Sequence, residues 1–353
     1  MNNQIVKIGL IGLGGMSNFY RHIIAGMESI QITAICDVNP ELLAQAGEQE
    51  NIREECRFRD MEQLIAYPEI DAVIAVVPNH LHAKVLELCI AHQKAVISEK
   101  PFTLNVMEAE KLKTLYENSP IPCAIGFIHR YTPSFQYAKD MVEANVLGHI
   151  EHIDVRYEQS FGSPVFNTPF LWRYDKEISG TGALGDLGAH MIDSARFFVG
   201  EFQSVSAMMK TLVHKRVDPD TGEEKQVTVD DFTSFQAILA EDVIGTFVTT
   251  RNAVGSNNKH TVTIYGEYGT IHVDIERPKE IDICSADGAE KKPAFQTEKV
   301  PDKYKKTLVS DFVELLSHGS VQHMPTFYDG YINQKVIDAI IQSAGSNTNV
   351  NVE

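Results

Sequence analysis

Cysteine, positive charge and long apolar runs are all scarce in this sequence, and each scarcity removes a class of protein. The five cysteines, Cys36, Cys56, Cys89, Cys123 and Cys284, form no CxxC pair. An odd count without paired spacing argues against a disulfide framework. Cys36, Cys89 and Cys123 sit in apolar runs and read as small buried hydrophobes, so a reducing cytoplasm is the simplest compartment. Lysine and arginine number 31 against 48 aspartates and glutamates, a formal charge of −17. That balance argues against a nucleic-acid or anionic-membrane surface, because phosphate binding needs a concentrated basic face. No apolar run is long enough to span a bilayer. The opening MNNQIVKIGLIGLGGM lacks the basic region and small-residue cleavage site of a signal peptide, and its apolar residues read as a strand.

What remains is ordinary for a soluble globular chain: 43% hydrophobic and 22% charged residues. A length of 353 residues is long for one core and fits two domains. Up to residue 127, short apolar runs alternate with helical patterns. Strands are expected over 4–11, 30–36, 71–77, 95–98 and 123–127. Helices are expected over 16–29, 40–50, 61–67, 82–92 and 105–118. This alternation predicts a parallel sheet covered on both faces. After residue 127 the pattern changes. A helix over 134–145 precedes long alternating runs at 152–161, 203–213, 231–240, 243–251, 261–265 and 270–275. Such runs predict a large, mainly antiparallel open sheet, with helices near 186–199, 303–317 and 328–344. Residues 214–226 read as an exposed hairpin loop. The expected fold is α/β, with a dinucleotide-binding domain at 1–127 and a substrate-binding and oligomerisation domain at 128–353. One sheet face is left to cover, which predicts a homodimer or homotetramer.

The first chemical signal is Gly12-Leu13-Gly14-Gly15-Met16-Ser17, after a predicted strand and opening a predicted helix. Gly12 permits a tight turn and Gly14 lets a diphosphate approach the backbone, while the helix N-terminus supplies N–H groups and positive potential. Ser17 stands where glycine or alanine is usual, and is small enough for the same packing. Asp37 ends the second strand, where a carboxylate takes the adenosine ribose hydroxyls. Val38, Asn39 and Pro40 offer no cation for a 2′-phosphate, so NAD(H) is expected over NADP(H), with Arg53 the residue that could swing in. The competing role for Asp37 is a turn cap. Pro78, Asn79 and His82 follow the third strand, at the edge where parallel sheets bind ligands. His80 and His82 have no third ligand nearby, and no metal is expected. Glu99-Lys100-Pro101 closes the fourth strand. A lysine there can stabilise a developing alkoxide or polarise a carbonyl; it can also be an ordinary surface lysine.

The second signal is GTGALGDLGAHMID at 180–193. If the segment is helical, Asp186, His190 and Asp193 share one face. A carboxylate beside an imidazole is a common way to orient a general base. A capped helix start with a satisfied histidine competes with that reading.

Taken together, KIGLIGLGGMS, ICDVNPE, VVPNHLH, EKP, GFIHRY, GTGALGDLGAHMIDSARFFVGE and YDGYINQKVIDAIIQSA resemble the glucose–fructose oxidoreductase/inositol dehydrogenase (Gfo/Idh/MocA) family. They stand in the family's order and cover essentially the whole chain. The resemblance implies a Rossmann domain followed by an α/β domain with a large open sheet. It implies a catalytic group of Lys100, Asp186 and His190. It implies cofactor contacts from Gly12, Leu13, Gly14, Gly15, Met16, Asp37, Pro78, Asn79, His82, Glu99 and Lys100. Substrate contacts are implied for His129, Arg130, Trp172 and Arg173, beside the catalytic group, with Arg173 open to a structural ion pair.

The leading expectation is reversible oxidation of a secondary alcohol on a sugar or inositol-like polyol. His190 is the base, oriented by Asp186, and Lys100 steadies the alkoxide. Two rivals are a sugar-modifying enzyme that retains and recycles NAD, and a non-enzymatic NAD-sensing regulator. The substrate itself is not legible in the residues.

Overall fold

A computed structural model describes residues 5–286 and 293–352. Its chain contacts divide it into two compact units, 1–126 with 306–331, and 127–305 with 332–353. The later stretch that joins the first unit is a feature that the single boundary at 127 did not anticipate.

The first unit holds a parallel sheet of β1 (Val6–Ile11), β2 (Ile30–Cys36), β3 (Arg57–Phe58), β4 (Ala72–Ala75), β5 (Ala95–Ser98) and β6 (Cys123–Ile125). The spatial order is β3-β2-β1-β4-β5-β6. The strands are continuous apolar runs because both faces are covered. Helices α1 (Ser17–Ala25), α2 (Pro40–Gln49), α3 (Met61–Ile65), α4 (His82–Ala91) and α5 (Val106–Asn118) alternate with them. Local capping sets several starts. The Asn39 side chain accepts from the Glu41 and Leu42 N–H groups with Pro40 in the first turn, and Asn105 accepts from the Glu108 N–H. The order reverses between β1 and β4, and the segments carrying residues 12–16, 37, 78–79 and 100 all leave carboxyl ends of strands. That crevice is where open parallel sheets bind ligands.

In the second unit, α6 (Pro133–Glu143) precedes β7 (Ile150–Gln159), the short helix α7 (Lys176–Ser179), a π-helical segment Leu184–Gly188 and α8 (Ala189–Phe198). There follow β8 (Phe202–Lys210), β9 (Lys215–Val217), β10 (Glu224–Gln226), β11 (Phe232–Leu239), β12 (Ile244–Thr250), β13 (Asn258–Gly266), β14 (Gly269–Asp274), β15 (Glu280–Ser285) and β16 (Gln296–Lys299). Helix α9 (Leu308–His318) belongs to the first unit, α10 (Phe327–Ser346) begins there and continues into the second, and β17 (Val350–Asn351) ends the series. Nine strands form one sheet in the order β16-β15-β14-β13-β7-β12-β11-β8-β17. Its pairs are antiparallel except β7 with β12.

The 214–226 excursion is the two-stranded hairpin β9–β10. It is less exposed than its composition predicts, because Arg216 and Asp218 are buried. The Arg216 guanidinium donates to the carbonyls of Thr168 and Gly162 and lies over the Tyr174 ring. A buried arginine needs such partners, since an unpaired buried charge is very costly.

Candidate active site

The glycine turn of the first unit is shaped by one obligatory glycine. Gly12 has φ +84°, and a Cβ there would lie 2.0 Å from the Val76 carbonyl oxygen. Only glycine fits, which brings β1 close to the end of β4. Asp37 then organises the turn from β2. Its Oδ2 accepts from the Leu13 N–H at 2.7 Å and its Oδ1 from the Asn39 N–H at 2.8 Å. The capping role and the ribose role are thus compatible, one carboxylate edge being held while the side chain stays partly exposed.

The residues fit a dinucleotide. A Cβ built on Gly14 or Gly15 would meet nothing within 4 Å, so the backbone there is open to a diphosphate. The first turn of α1 carries no acidic residue, so nothing opposes an anion at the helix N-terminus. Arg53 is engaged with Glu55 at 2.9 Å and Glu69 at 3.1 Å. A nearer cation escaped the sequence reading: Arg59 donates to the Val38 carbonyl at 3.3 Å.

At the end of β5, Glu99 and Lys100 are held from beneath. The buried Tyr20 hydroxyl donates to Glu99 Oε1 at 2.6 Å, and Glu99 Oε2 accepts from the Lys100 N–H at 3.2 Å. Burial, then the Glu99 charge, raises the Tyr20 phenol well above its usual range. Glu99 thereby sets the backbone of Lys100.

His82 is likewise held by protein partners. It is buried, with Nδ1 2.6 Å from the Pro101 carbonyl oxygen and Nε2 3.0 Å from that of Val77. Burial outweighs those carbonyls and lowers its pKa. The ring lies between the chain after β4 and the chain after β5, so it positions both loop ends. Pro78 and Asn79 stand beside it, Asn79 opening a short 3₁₀ turn.

In the second unit, residues 184–188 are π-helical, a form found mostly as single turns at functional sites. Asp230 builds this turn from β11's entry. Its carboxylate accepts from the N–H groups of Gly182 at 2.7 Å and Leu184 at 2.9 Å and from the Thr233 hydroxyl at 2.9 Å. A Cβ at Gly182 would lie 1.9 Å from the Asp230 carbonyl oxygen, so glycine permits the approach. Burial pushes the Asp230 pKa up while those hydrogen bonds pull it down.

Asp186 meets a cation that sequence reasoning did not single out. Arg251, at the end of β12, is 1% exposed and donates to Asp186 Oδ2 at 2.9 Å and to the Gly182 carbonyl at 3.1 Å. Arg173 Nε lies 4.0 Å from the same Oδ2, and its guanidinium sits 4.4 Å over the Trp172 ring. Arg173 therefore has the ion-pair character left open for it. The one hint of Arg251 in the sequence is an arginine closing an apolar run, which needs a carboxylate somewhere in the fold.

His190 lies in the first turn of α8, 5% exposed, its ring stacked on His129 at 3.9 Å and 18°. His129 is thus brought to His190. Arg130 is buried, with Nε 2.9 Å from Asp193 Oδ2 and one terminal nitrogen 2.6 Å from Oδ1. The residue expected to touch substrate is thus engaged in an ion pair. Asp193, expected on one face with Asp186 and His190, is the partner of Arg130. His260 and Tyr157 complete the aromatic cluster around His129 and were not anticipated. Among the described residues, no group of three or more His, Cys, Asp or Glu side chains could hold a metal ion.

A turn shaped for a diphosphate and a polar wall of aspartate, histidine and arginine define the class: an NAD-binding oxidoreductase. Comparison with known proteins agrees. A model described as an oxidoreductase family with an NAD-binding Rossmann fold matches residues 6–127, and a GFO/IDH/MocA C-terminal domain model matches 135–272. Levoglucosan dehydrogenase of Pseudarthrobacter phenanthrenivorans is 30% identical over 99% of this chain and 98% of its own. Inositol 2-dehydrogenase of Rhizobium meliloti is 24% identical over 98% and 99%. A solved levoglucosan dehydrogenase in complex with NADH superposes with a TM-score of 0.92, at 30% identity, covering 99% of this chain and 100% of that one. The chain belongs to the GFO/IDH/MocA family of NAD-dependent oxidoreductases. Among the described residues, no helix is long and apolar enough to cross a membrane.

Proposed function

We propose that this protein oxidises, reversibly, a secondary alcohol of a sugar or cyclic polyol with NAD⁺. The observation that carries the reading is the polar wall of the second unit, Asp186 beside Arg251 with His190 stacked on His129, in a chain alike end to end with levoglucosan dehydrogenase. Closely set carboxylate, guanidinium and imidazole groups suit a ligand whose surface is mostly hydroxyls. Bound NAD⁺ supplies the hydride acceptor. In this reading His190 takes the hydroxyl proton, and Lys100 steadies the alkoxide oxygen. Asp186, held by Arg251, keeps a negative charge that favours an imidazolium. Trp172 and Arg173 border the sugar, and His129 supports the base. Gly12, Leu13, Gly14, Gly15 and Met16 hold the diphosphate, Asp37 the ribose, and Pro78 and Asn79 the nicotinamide end.

The reaction releases a proton, so oxidation is favoured as pH rises. NADH absorbance is the test, with NAD⁺ at mildly alkaline pH, and NADP⁺ in parallel, against anhydrosugars, aldoses, inositols and sugar alcohols. A rise with NAD⁺ and one sugar class is expected. A flat trace throughout, from protein that binds NAD, would overturn net oxidation and favour retained-cofactor chemistry or a regulator.

We also propose that the sheet of the second unit covers its outer face with a second copy. Met208 on β8, Ile244 on β12 and Tyr265 on β13 are 66%, 53% and 38% exposed, apolar side chains that a second copy would cover. Light scattering on a sizing column is expected to give a dimer or tetramer, and a monomer at micromolar concentration would refute it.

A further inference from the structure

One buried imidazole has no part in the chemistry above. His260 lies on β13, paired with Tyr157 of β7, and is 0% exposed. The Tyr157 ring stacks on it at 4.9 Å and 12°, and Phe135 closes it at 5.5 Å. Its Nδ1 lies 2.7 Å from His129 Nδ1. Its Nε2 is buried with no hydrogen-bond partner among the described residues. His129 in turn stacks flat on His190.

Two facing nitrogens at this distance share one proton, and two neutral arrangements are available. If His129 donates, His260 must carry its own proton on Nε2, and that buried N–H has no acceptor. If His260 donates from Nδ1, its Nε2 keeps only a lone pair. A buried N–H without an acceptor is the costlier state, since orphaned donors are rarer than under-used acceptors. A cationic His260 would also strand an Nε2–H. Burial first, then the neighbouring His129, holds His260 well below the ordinary histidine range. The second arrangement is therefore favoured, and it leaves His129 with its proton on Nε2.

We propose that His260 is a positioning residue: it fixes His129 in the Nε2–H tautomer and so keeps a neutral imidazole stacked against His190. Protonating His129 would place an N–H on its Nδ1 and force His260 into the tautomer with the stranded Nε2–H. His129 is thus held neutral in the range where a free histidine becomes charged. A neutral plate against His190 does not repel the imidazolium that forms when His190 accepts a proton; a cationic plate would. Three other titratable groups bear on this pair. Tyr157 on β7 donates its hydroxyl to Asn258, with its phenol raised first by burial and then by Asp186. Asp186 on the π-helical segment is bridged to Arg251 of β12. Arg130, next to His129 in the chain, is neutralised by Asp193 on α8.

The link to catalysis rests on the proposed role of His190, and the tautomer does not. The test is long-range ¹H–¹⁵N correlation on histidine-labelled full-length protein across pH, with His129 and His260 assigned from single variants. The expected spectrum has His260 as the Nδ1–H form and His129 as the Nε2–H form, neither titrating in the ordinary histidine range. His260 as Nε2–H, or His129 titrating like a free histidine, would overturn the proposal. His260→Leu removes the donor, so His129 should now titrate, and the acidic limb of kcat/KM should change shape and steepen as a second proton enters the stacked pair. His260→Asn can present a side-chain N–H near the Nδ1 position and should restore most of the wild-type limb. An unchanged limb in His260→Leu, with His129 newly titrating, would overturn the coupling to His190. Should His260→Leu fail to fold, the wild-type spectrum and His260→Asn still decide. Full turnover in a His190→Gln variant would instead remove the base reading, and leave the tautomer to be judged by its own spectrum.

Discussion

Replacing Lys100 or His190 by alanine is expected to cut turnover by about 10²–10⁴ while leaving NAD affinity largely intact. The split follows from where each group sits. In the proposed reading the dinucleotide would be held mainly by the backbone of residues 12–16 and by Asp37, which neither substitution changes. His190 is 5% exposed and packs against the His129 and Phe127 rings, so its loss removes the proposed base itself. Lys100 is set by Glu99 through its own N–H, so Lys100→Ala deletes the cation without releasing the loop. A loss of that size corresponds to about 3–5 kcal/mol of transition-state stabilisation. The loss should fall in kcat as well as kcat/KM, because proton transfer and alkoxide stabilisation are made mainly in the transition state. Steady-state rates with NADH fluorescence titration check both halves, and a carbon-deuterated substrate should show a larger isotope effect in the variants. Full turnover in both would remove the mechanism, and lost NAD binding in His190→Ala would move that residue into the cofactor site.

The reading of the first unit from sequence succeeded because its signals are local. Strand β5 falls on 95–98 as expected, helix α5 differs by one residue at its start, and the turn at 12–17 needs only neighbouring residues to be recognised. The second unit was legible as a class of sheet but not to its edges. Strands β15, β16 and β17 were missed, and β16 is QTEK, exposed throughout, so it carries no alternation to read.

The site was legible by residue type and not by pairing. Asp186 and His190 could be named from a spacing of four. That the turn between them is π-helical depends on Asp230, whose carboxylate reaches back to Gly182 and Leu184 from more than forty residues away. The partner of Asp186, Arg251, is likewise remote. Glu99 and His82 lie in motifs that point to a cofactor, and the partners that hold them include Tyr20 and the Pro101 carbonyl, both remote in the chain. A motif names the residues near a site without saying which of them face the ligand.

Asp193→Ala is expected to destabilise the second unit by about 3–5 kcal/mol, the cost of breaking a buried ion pair. Asp193 and Arg130 have side chains only 2% and 7% exposed, joined by two charge-assisted hydrogen bonds. Removing the carboxylate takes both of these hydrogen bonds and the countercharge from a buried guanidinium, which also lies 5.4 Å from the Phe197 ring. The double variant Arg130→Met/Asp193→Leu removes both charges and fills their space. It should recover most of the loss, because a buried pair replaced by apolar groups is often neutral or better. Trp172 is the chain's one tryptophan and lies in the second unit, so its fluorescence in a urea titration follows the unfolding that matters. The same pair of variants separates the structural role of Arg130 from a substrate role. If Arg130 only braces 127–131 against α8, the folded double variant keeps its KM for the sugar close to wild type. A KM raised tenfold or more in that variant, with stability recovered, would return Arg130 to the substrate site and show that the ion pair is exchanged when sugar binds.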